Sequence, residues 1–235
     1  MTTATLKGCY AYPGRYPFTL KRAAANVGGD LQVVSKMPGY STGIPAAECK
    51  AGSKLRKVPG STCETCYAFE GFYKVYKTSI DRAQYARLEA LDNPEWIESM
   101  VRLIAHYCTD GGRESQRGRY FRWHHSGDLQ SLKHLWRIIE VVKLTPNVYH
   151  WVPTREYRVV ATYRRLYGEF PSNVVVRQSA HMVDHAPPSG YGLPTSTVVT
   201  DHGKATCPAP DQGNACLDCR ACWDPNVANV AYLKH

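Results

Sequence analysis

The chain has 235 residues, 43% hydrophobic and 21% charged, with a formal net charge of +9 and a pI near 9.1. That balance excludes a disordered or fibrous chain, and the length fits one large α/β domain or two small ones. The opening residues lack the apolar core of a signal peptide and no run of eighteen apolar residues occurs, so a cytosolic protein is expected, with no membrane and with nucleic acid as the first acidic partner.

Nine cysteines in a reducing compartment argue for metal rather than for a disulfide framework, and an odd number cannot all pair with one another. Residues 1–30 mix Tyr, Pro, Gly and Lys without a period and read as an irregular N-terminal arm. Leu31 to Lys36 reads as a first strand. A long Pro- and Gly-punctuated loop follows, and a loop of that length inside a domain is expected to be tied to something, here Cys49, Cys63 and Cys66. Helical pattern runs from Tyr67 to Leu91 and restarts at Asn93 and Pro94, with Asn93 as the N-cap. Ile97, Met100, Val101, Ile104 and Cys108 fall on one helical face, which makes Cys108 a core residue; Cys9, equally isolated, is treated alike.

Residues 119–125 (R-Y-F-R-W-H-H) form a second expected strand, turned at Ser126, Gly127 and Asp128. A helix through Leu132, Leu135, Ile138, Ile139 and Val142 follows, then a strand at Val148 to Val152 and a helix through Val159, Tyr163 and Leu166. Strands at Asn173 to Gln178 and Ser196 to Thr200 complete the pattern. Alternation of this kind calls for a parallel sheet with right-handed crossovers. Four or five units fall short of an eightfold barrel, so the expected architecture is α/β: a partial (half) TIM-like barrel or a curved parallel sheet, with cysteine-rich loops at its C-terminal rim. The expected divisions are the arm 1–30, the barrel 31–203 and a metal-binding segment 204–235 packed on it.

In such folds chemistry sits on the loops after the strands. Those loops bring Cys49, Cys63 and Cys66; His124, His125, Ser126, Gly127 and Asp128; Thr154, Arg155 and Glu156; Ser179, His181 and Asp184; and Asp201 and His202 with the tail cysteines, all expected to converge on one rim. Cys207, Cys216, Cys219 and Cys222 lie within sixteen residues, three of them in a C-x-x-C-x-x-C run. That spacing aims several sulfurs at one centre as in ferredoxins and favours a [4Fe-4S] cluster, with zinc as the alternative. Cys49, Cys63 and Cys66 would give a second site or join the first. Asp128 and His125 are the candidates for proton transfer, and Ser126, Gly127, Asp128 and Arg155 for binding a cofactor. A backbone-satisfied buried histidine, and a helix cap at Ser126 or Asp128 for a helix from Leu129, are the plain alternatives.

The blocks C-E-T-C-Y-A (63–68), R-W-H-H-S-G-D-L (122–129), V-Y-H-W-V-P-T-R-E (148–156) and C-L-D-C-R-A-C-W (216–223) resemble the phage gene product 88 family. That resemblance implies a bacteriophage source and the cytoplasm of the infected bacterial host. A weaker resemblance is to radical S-adenosylmethionine enzymes, which place three cluster cysteines after a first strand and a Gly-containing acidic turn after the second. It implies S-adenosylmethionine at Ser126 to Asp128, and redox or radical chemistry with a small molecule or a redox partner. Thirteen residues separate Cys49 from Cys63, a wider gap than those enzymes use.

Overall fold

A computed structural model describes residues 17–34, 36–109, 118–186 and 192–234. Among them are seven α-helices: α1 (Leu20–Asn26), α2 (Lys50–Leu55), α3 (Gly71–Val75), α4 (Lys77–Glu89), α5 (Trp96–Tyr107), α6 (Leu132–Leu144) and α7 (Tyr157–Tyr167). The strands are β1 (Gln32–Val33), β2 (Tyr40–Ser41), β3 (Tyr120–Arg122), β4 (Tyr149–Thr154), β5 (Val174–Ser179), β6 (Thr195–Val199) and β7 (Asn229–Leu233). Strand order in space follows chain order. The β1 and β2 pair is antiparallel and every later pair is parallel, so β1 and β7 are the edges of an open sheet.

Side chains alternate across this sheet, and its two faces have different covers. Phe121, Trp123, Val152, Val174 and Val176 join the buried faces of α1, α5, α6 and α7 in the main core, which also takes Cys108. Trp151 and Val230 face the other way and pack with Cys222 and Trp223, with Tyr120, Cys207 and Tyr232 at the margin. The cysteine-rich segment between β6 and β7 therefore covers the face that the helices leave bare.

Local chemistry sets the helix starts. Asn93 is not the N-cap expected for α5: regular helix begins at Trp96 with Glu95 in the cap position, and Asn93 Oδ1 accepts from the Glu95 amide at 2.8 Å in the turn before it. Helix α6 begins at Leu132, capped by Ser131 Oγ on the His134 amide at 3.1 Å, so neither Ser126 nor Asp128 is its cap. The arm is not irregular throughout: α1 is capped by Thr19 and buries Ala23 in the main core, joined by Val27 at its C-cap. Residues 1–16, with Cys9, lie outside the described residues.

The strand expected at Leu31 to Lys36 is only Gln32–Val33, and a second short strand, Tyr40–Ser41, is the one that enters the parallel sheet. Gly39 explains the shift. Its φ is +74°, and a Cβ there would lie 1.9 Å from the Tyr120 carbonyl oxygen, so only glycine lets this turn bring Tyr40 alongside β3. Within the segment expected at 204–235, β7 pairs with β6 over five residues. Tail and sheet are one folded unit.

Two buried histidines are wired into the helix-side core as neutral rings. The Trp123 indole donates to His150 Nδ1 at 3.2 Å, and Thr145 Oγ1, which donates to the Val141 carbonyl, lies 2.9 Å from His150 Nε2. The Gln130 amide donates to His134 Nδ1 at 3.2 Å. Burial holds both rings down at a pKa of about 3, and drives that of His124, which meets His134 edge-on at 5.1 Å, well below the usual histidine range.

Candidate metal centres at the rim and under the tail

The loop carrying Cys49, Cys63 and Cys66 is held over the C-terminal ends of three parallel strands. At the β3 exit the Tyr67 hydroxyl donates to the His125 carbonyl, and Gln130 Nε2 donates to the Glu48 carbonyl at 3.2 Å. At the β4 exit Glu156 Oε1 accepts from the Ala51 amide at 2.7 Å. At the β5 exit the Thr62 amide donates to the His181 carbonyl at 2.9 Å and Ser61 bridges to Met182. These ties bring the three thiols together. A Cβ on Gly52 would sit 3.6 Å from Cys49 Sγ and 3.7 Å from Cys63 Sγ. Burial, then Asp128, then the Cys66 and Cys63 sulfurs, push the Cys49 thiol far up, while Arg155 pulls it down. Burial likewise raises Cys66.

Asp128 is buried, and its carboxylate joins two strand exits. Oδ1 accepts from Thr154 Oγ1 at 2.6 Å and from the Leu129 amide at 2.7 Å, and Oδ2 accepts from the Arg155 amide at 2.8 Å. Burial raises its pKa to about 6, against the pull of those hydrogen bonds. Arg155 Nε donates to Thr62 Oγ1 at 3.0 Å, which sets the guanidinium beside the cysteine loop. Ser126 is buried with no hydrogen-bond partner for its Oγ. Gly127 serves a close approach between chain segments: at φ +84° a Cβ would lie 2.4 Å from Ile44 Cγ1 and 2.7 Å from the Ile44 carbonyl oxygen. Gly127→Ala is therefore expected to cost at least about 2 kcal/mol, left-handed backbone alone accounting for about 1–2 kcal/mol, as read from urea unfolding. His125 is nearly as enclosed. Its Nδ1 lies 2.9 Å from Ser41 Oγ, its ring packs on Gly43, and burial followed by Arg122 lowers its pKa to about 3.

The tail thiols form a separate group. Cys207, Cys216, Cys219 and Cys222 line one pocket with Pro208, Ala209, Ala221, Trp223 and Val230. It lies against the bare face of the sheet, not at the strand-end rim where all the cysteines were expected to meet. The Cys207 amide donates to the Ala231 carbonyl at 3.0 Å and the Cys216 amide to the Lys36 carbonyl at 2.8 Å, so both edges of the sheet anchor the segment. Burial raises the Cys207 and Cys216 thiols, and raises Cys222 to about 11 although the Tyr232 hydroxyl lies 3.1 Å from its sulfur. The influence of thiol on thiol runs within the tail set and within the rim set. Among the described residues no three His, Cys, Asp or Glu donors stand close enough to hold a single metal ion.

The remaining strand-end candidates are used locally. His181 stacks on Tyr157 with ring centroids 4.5 Å apart, and Ser179 Oγ accepts from Ser196 at 3.0 Å. Asp184 accepts from the Thr200 amide and hydroxyl, Asp201 from the Gly203 amide, and His202 meets Asp211 at 3.0 Å, all exposed.

Arg177, fully buried on β5, is the organising residue that sequence reasoning passes over. Its Nη1 donates to the Thr195 and Val227 carbonyls at 2.8 and 3.0 Å, and its Nη2 to Ala221 and Asp224 at 3.0 and 3.2 Å. One guanidinium thus fixes the backbone on both sides of Cys222. Arg122, whose guanidinium lies 4.8 Å over the Trp151 ring, adds a second positive charge near Cys222 and Cys216. The signal in the sequence was V-V-V-R-Q, a charge inside an otherwise apolar strand.

No helix among the described residues is long and apolar enough to cross a membrane. Comparisons with curated proteins and with solved structures found no match. A family model described as gene product 88 matches residues 2–225, spanning both thiol sets, the strand-turn at 122–129 and all but the last strand of the sheet. The chain belongs to the gene product 88 family.

Proposed function

We propose that this chain is a phage-encoded iron–sulfur protein of the host cytoplasm, with a [4Fe-4S] cluster held by Cys207, Cys216, Cys219 and Cys222. The observation that carries this reading is four cysteine side chains on one pocket whose other walls are apolar. Soft thiolates in a dry surround suit iron–sulfur or zinc, and the C-x-x-C-x-x-C run favours the cluster. Arg177 and Arg122 oppose the negative charge that deprotonated thiols gather there. The order of parallel strands, with helices on one face of an open sheet, supports the reading of the fold as a half-barrel left open.

At the rim, Cys49, Cys63 and Cys66 offer three thiolates and leave a fourth position for a small molecule; the reading is a second iron–sulfur site that binds S-adenosylmethionine. A bound cluster supplies an electron to that ligand. Arg155 would take the ligand's carboxylate and the unpaired Ser126 hydroxyl one of its polar groups. Asp128 and His125 are positioning residues in this reading. The first spends both oxygens aligning Thr154 and Arg155, and the second holds Ser41 and supports Tyr67.

Anaerobic purification followed by iron, sulfide and zinc analysis tests the metal. About four iron and four sulfide are expected per cluster, with loss of the tail share in Cys219→Ser and none in Cys108→Ala. Zinc without sulfide would replace the cluster by a structural zinc site. Formation of 5'-deoxyadenosine from S-adenosylmethionine under reduction tests the rim, and no cleavage by fully loaded protein would remove that part of the reading.

A further inference from the structure

The surface beside the rim carries large apolar side chains whose faces the fold leaves in water. Tyr67 is 55% exposed, Phe72 78%, Val75 73% and Tyr76 56%. Tyr67 opens a one-turn helix at Tyr67–Phe69, Phe72 and Val75 lie on α3, neither element holds a fully buried residue, and Tyr76 follows as the C-cap of α3. A fold gains nothing by leaving such rings in water, and contiguous exposed apolar surface marks an interaction site.

The rings are arranged in sequence along the surface. Phe72 and Tyr76 stack with centroids 6.1 Å apart and planes at 8°, and Tyr67 meets Tyr73 edge-on at 5.8 Å. Arg56 lies 4.0 Å over the Phe69 ring and joins this row to α2. Helix α2 and its exit read K-A-G-S-K-L-R-K without one acid. Lys54, Arg56 and Lys57 are exposed and have no ion-pair partner among the described residues. The acids nearby are already used: Glu64 accepts from the Gly60 amide, Glu70 faces Lys74 at 3.9 Å and Asp81 pairs with Lys77.

We propose that this surface, with Lys54, Arg56 and Lys57 at one end and Tyr67, Phe72 and Tyr76 at the other, binds single-stranded nucleic acid. Charge complementarity selects the occupant, because unpaired cations beside exposed ring faces suit a chain that offers phosphates and unstacked bases together. A duplex hides its base faces and would use only the cations. A protein partner would be drawn to the apolar rings but gives no reason for three unpaired cations next to them. The chain's overall charge of +9 has the same sign as the patch. The site stands on different residues from either thiol set.

The test is fluorescence anisotropy of the full chain with labelled oligonucleotides, single-stranded DNA, single-stranded RNA and duplex, across a salt series. Single strands are expected to bind more tightly than duplex, and affinity to fall with salt by about 0.7 log units per tenfold for each neutralised phosphate. Phe72→Ala with Tyr76→Ala should weaken binding by about tenfold or more, since each stacked base carries a factor of that size. Lys54→Glu, Arg56→Glu and Lys57→Glu together should flatten the salt slope by about 2. All five positions are exposed, and an unchanged circular dichroism spectrum and metal content checks the fold of each variant. No binding at low salt, equal binding of duplex, or an affinity untouched by loss of the two rings would overturn the proposal. Capture of a protein by the same rings without a salt-dependent oligonucleotide signal would also overturn it.

Discussion

Arg177→Met is expected to be the most damaging single substitution on the bare face of the sheet, costing about 5 kcal/mol. Four backbone carbonyls, from Thr195, Ala221, Asp224 and Val227, take their hydrogen bonds from this guanidinium. A hydrogen bond to a charged donor contributes about 1.5–3 kcal/mol, and an acceptor left dry costs about 1–3 kcal/mol. A methionine fills much of the volume but donates nothing. Against a total stability of about 5–15 kcal/mol, the loss would leave much of the chain unfolded at growth temperature. Arg177→Lys keeps the charge but puts a single ammonium where a planar fork spans both sides of Cys222, so it should recover only part of the loss. Urea midpoints of the three proteins read this directly. A Met variant melting within about 2 °C of the parent, a shift worth under about 1 kcal/mol for a domain of this size, would mean that water satisfies the same carbonyls.

Acid should unfold the protein between about pH 6.5 and pH 4.5, well above the range where carboxylates protonate. His134 and His150 stay neutral in the native state down to about 3, and His124 is held well below its ordinary value, in each case first because burial penalises the charged ring. Unfolded, the same rings take up protons near pH 6.5. The sign follows: stability is intact above that value and falls as pH drops towards the native pKa values, because only the unfolded chain binds the protons. Each of these rings, and His125 with them, contributes about 1.4 kcal/mol per pH unit, while Asp128, raised to about 6 by burial, takes up its proton in the native state and offsets about 1.4 kcal/mol by pH 5. The net loss there is about 6–7 kcal/mol and the net uptake about three protons, enough to exhaust a typical domain. Far-UV circular dichroism from pH 8 to 3 should give a transition taking up about three protons, and His134→Gln, whose amide oxygen can still accept from the Gln130 amide, should reduce that number by about one. A chain still folded at pH 4 would refute the account.

Much of the sheet was legible because periodicity and turn chemistry agree over β3 to β6 and over α5, α6 and α7. The Asn93 and Pro94 signal and the apolar stripe from Trp96 to Ile104 placed α5, and the burial of Cys108 followed from the same stripe. Two strands were missed for different reasons. Tyr40 and Ser41 are only two residues inside a Pro- and Gly-rich run, and their pairing depends on Gly39 meeting Tyr120, eighty residues away. β7, N-V-A-Y-L, sits directly after the cysteines, and so short a run becomes a strand through its pairing with β6. The rim loop was legible as tied but not as to what, since Glu156, Thr62 and His181 become its partners only once β4 and β5 lie side by side. How seven thiols divide, three at the strand ends and four on the opposite face, is set by the route of the chain between β6 and β7, which local spacing does not encode.

The order of β7 and the thiols along the chain also bears on how the molecule is made. Every cysteine precedes β7, and the Thr206 and Cys207 amides donate to Ala231 within it. A nascent polypeptide leaving the ribosome therefore carries its full complement of sulfur before the strand that pins the arch has emerged. Until then the arch is a slack loop hanging from β6, open to oxidants and to stray ions. The exposure of those thiols during that interval would decide the yield of correctly folded protein more than the speed of folding of the rest.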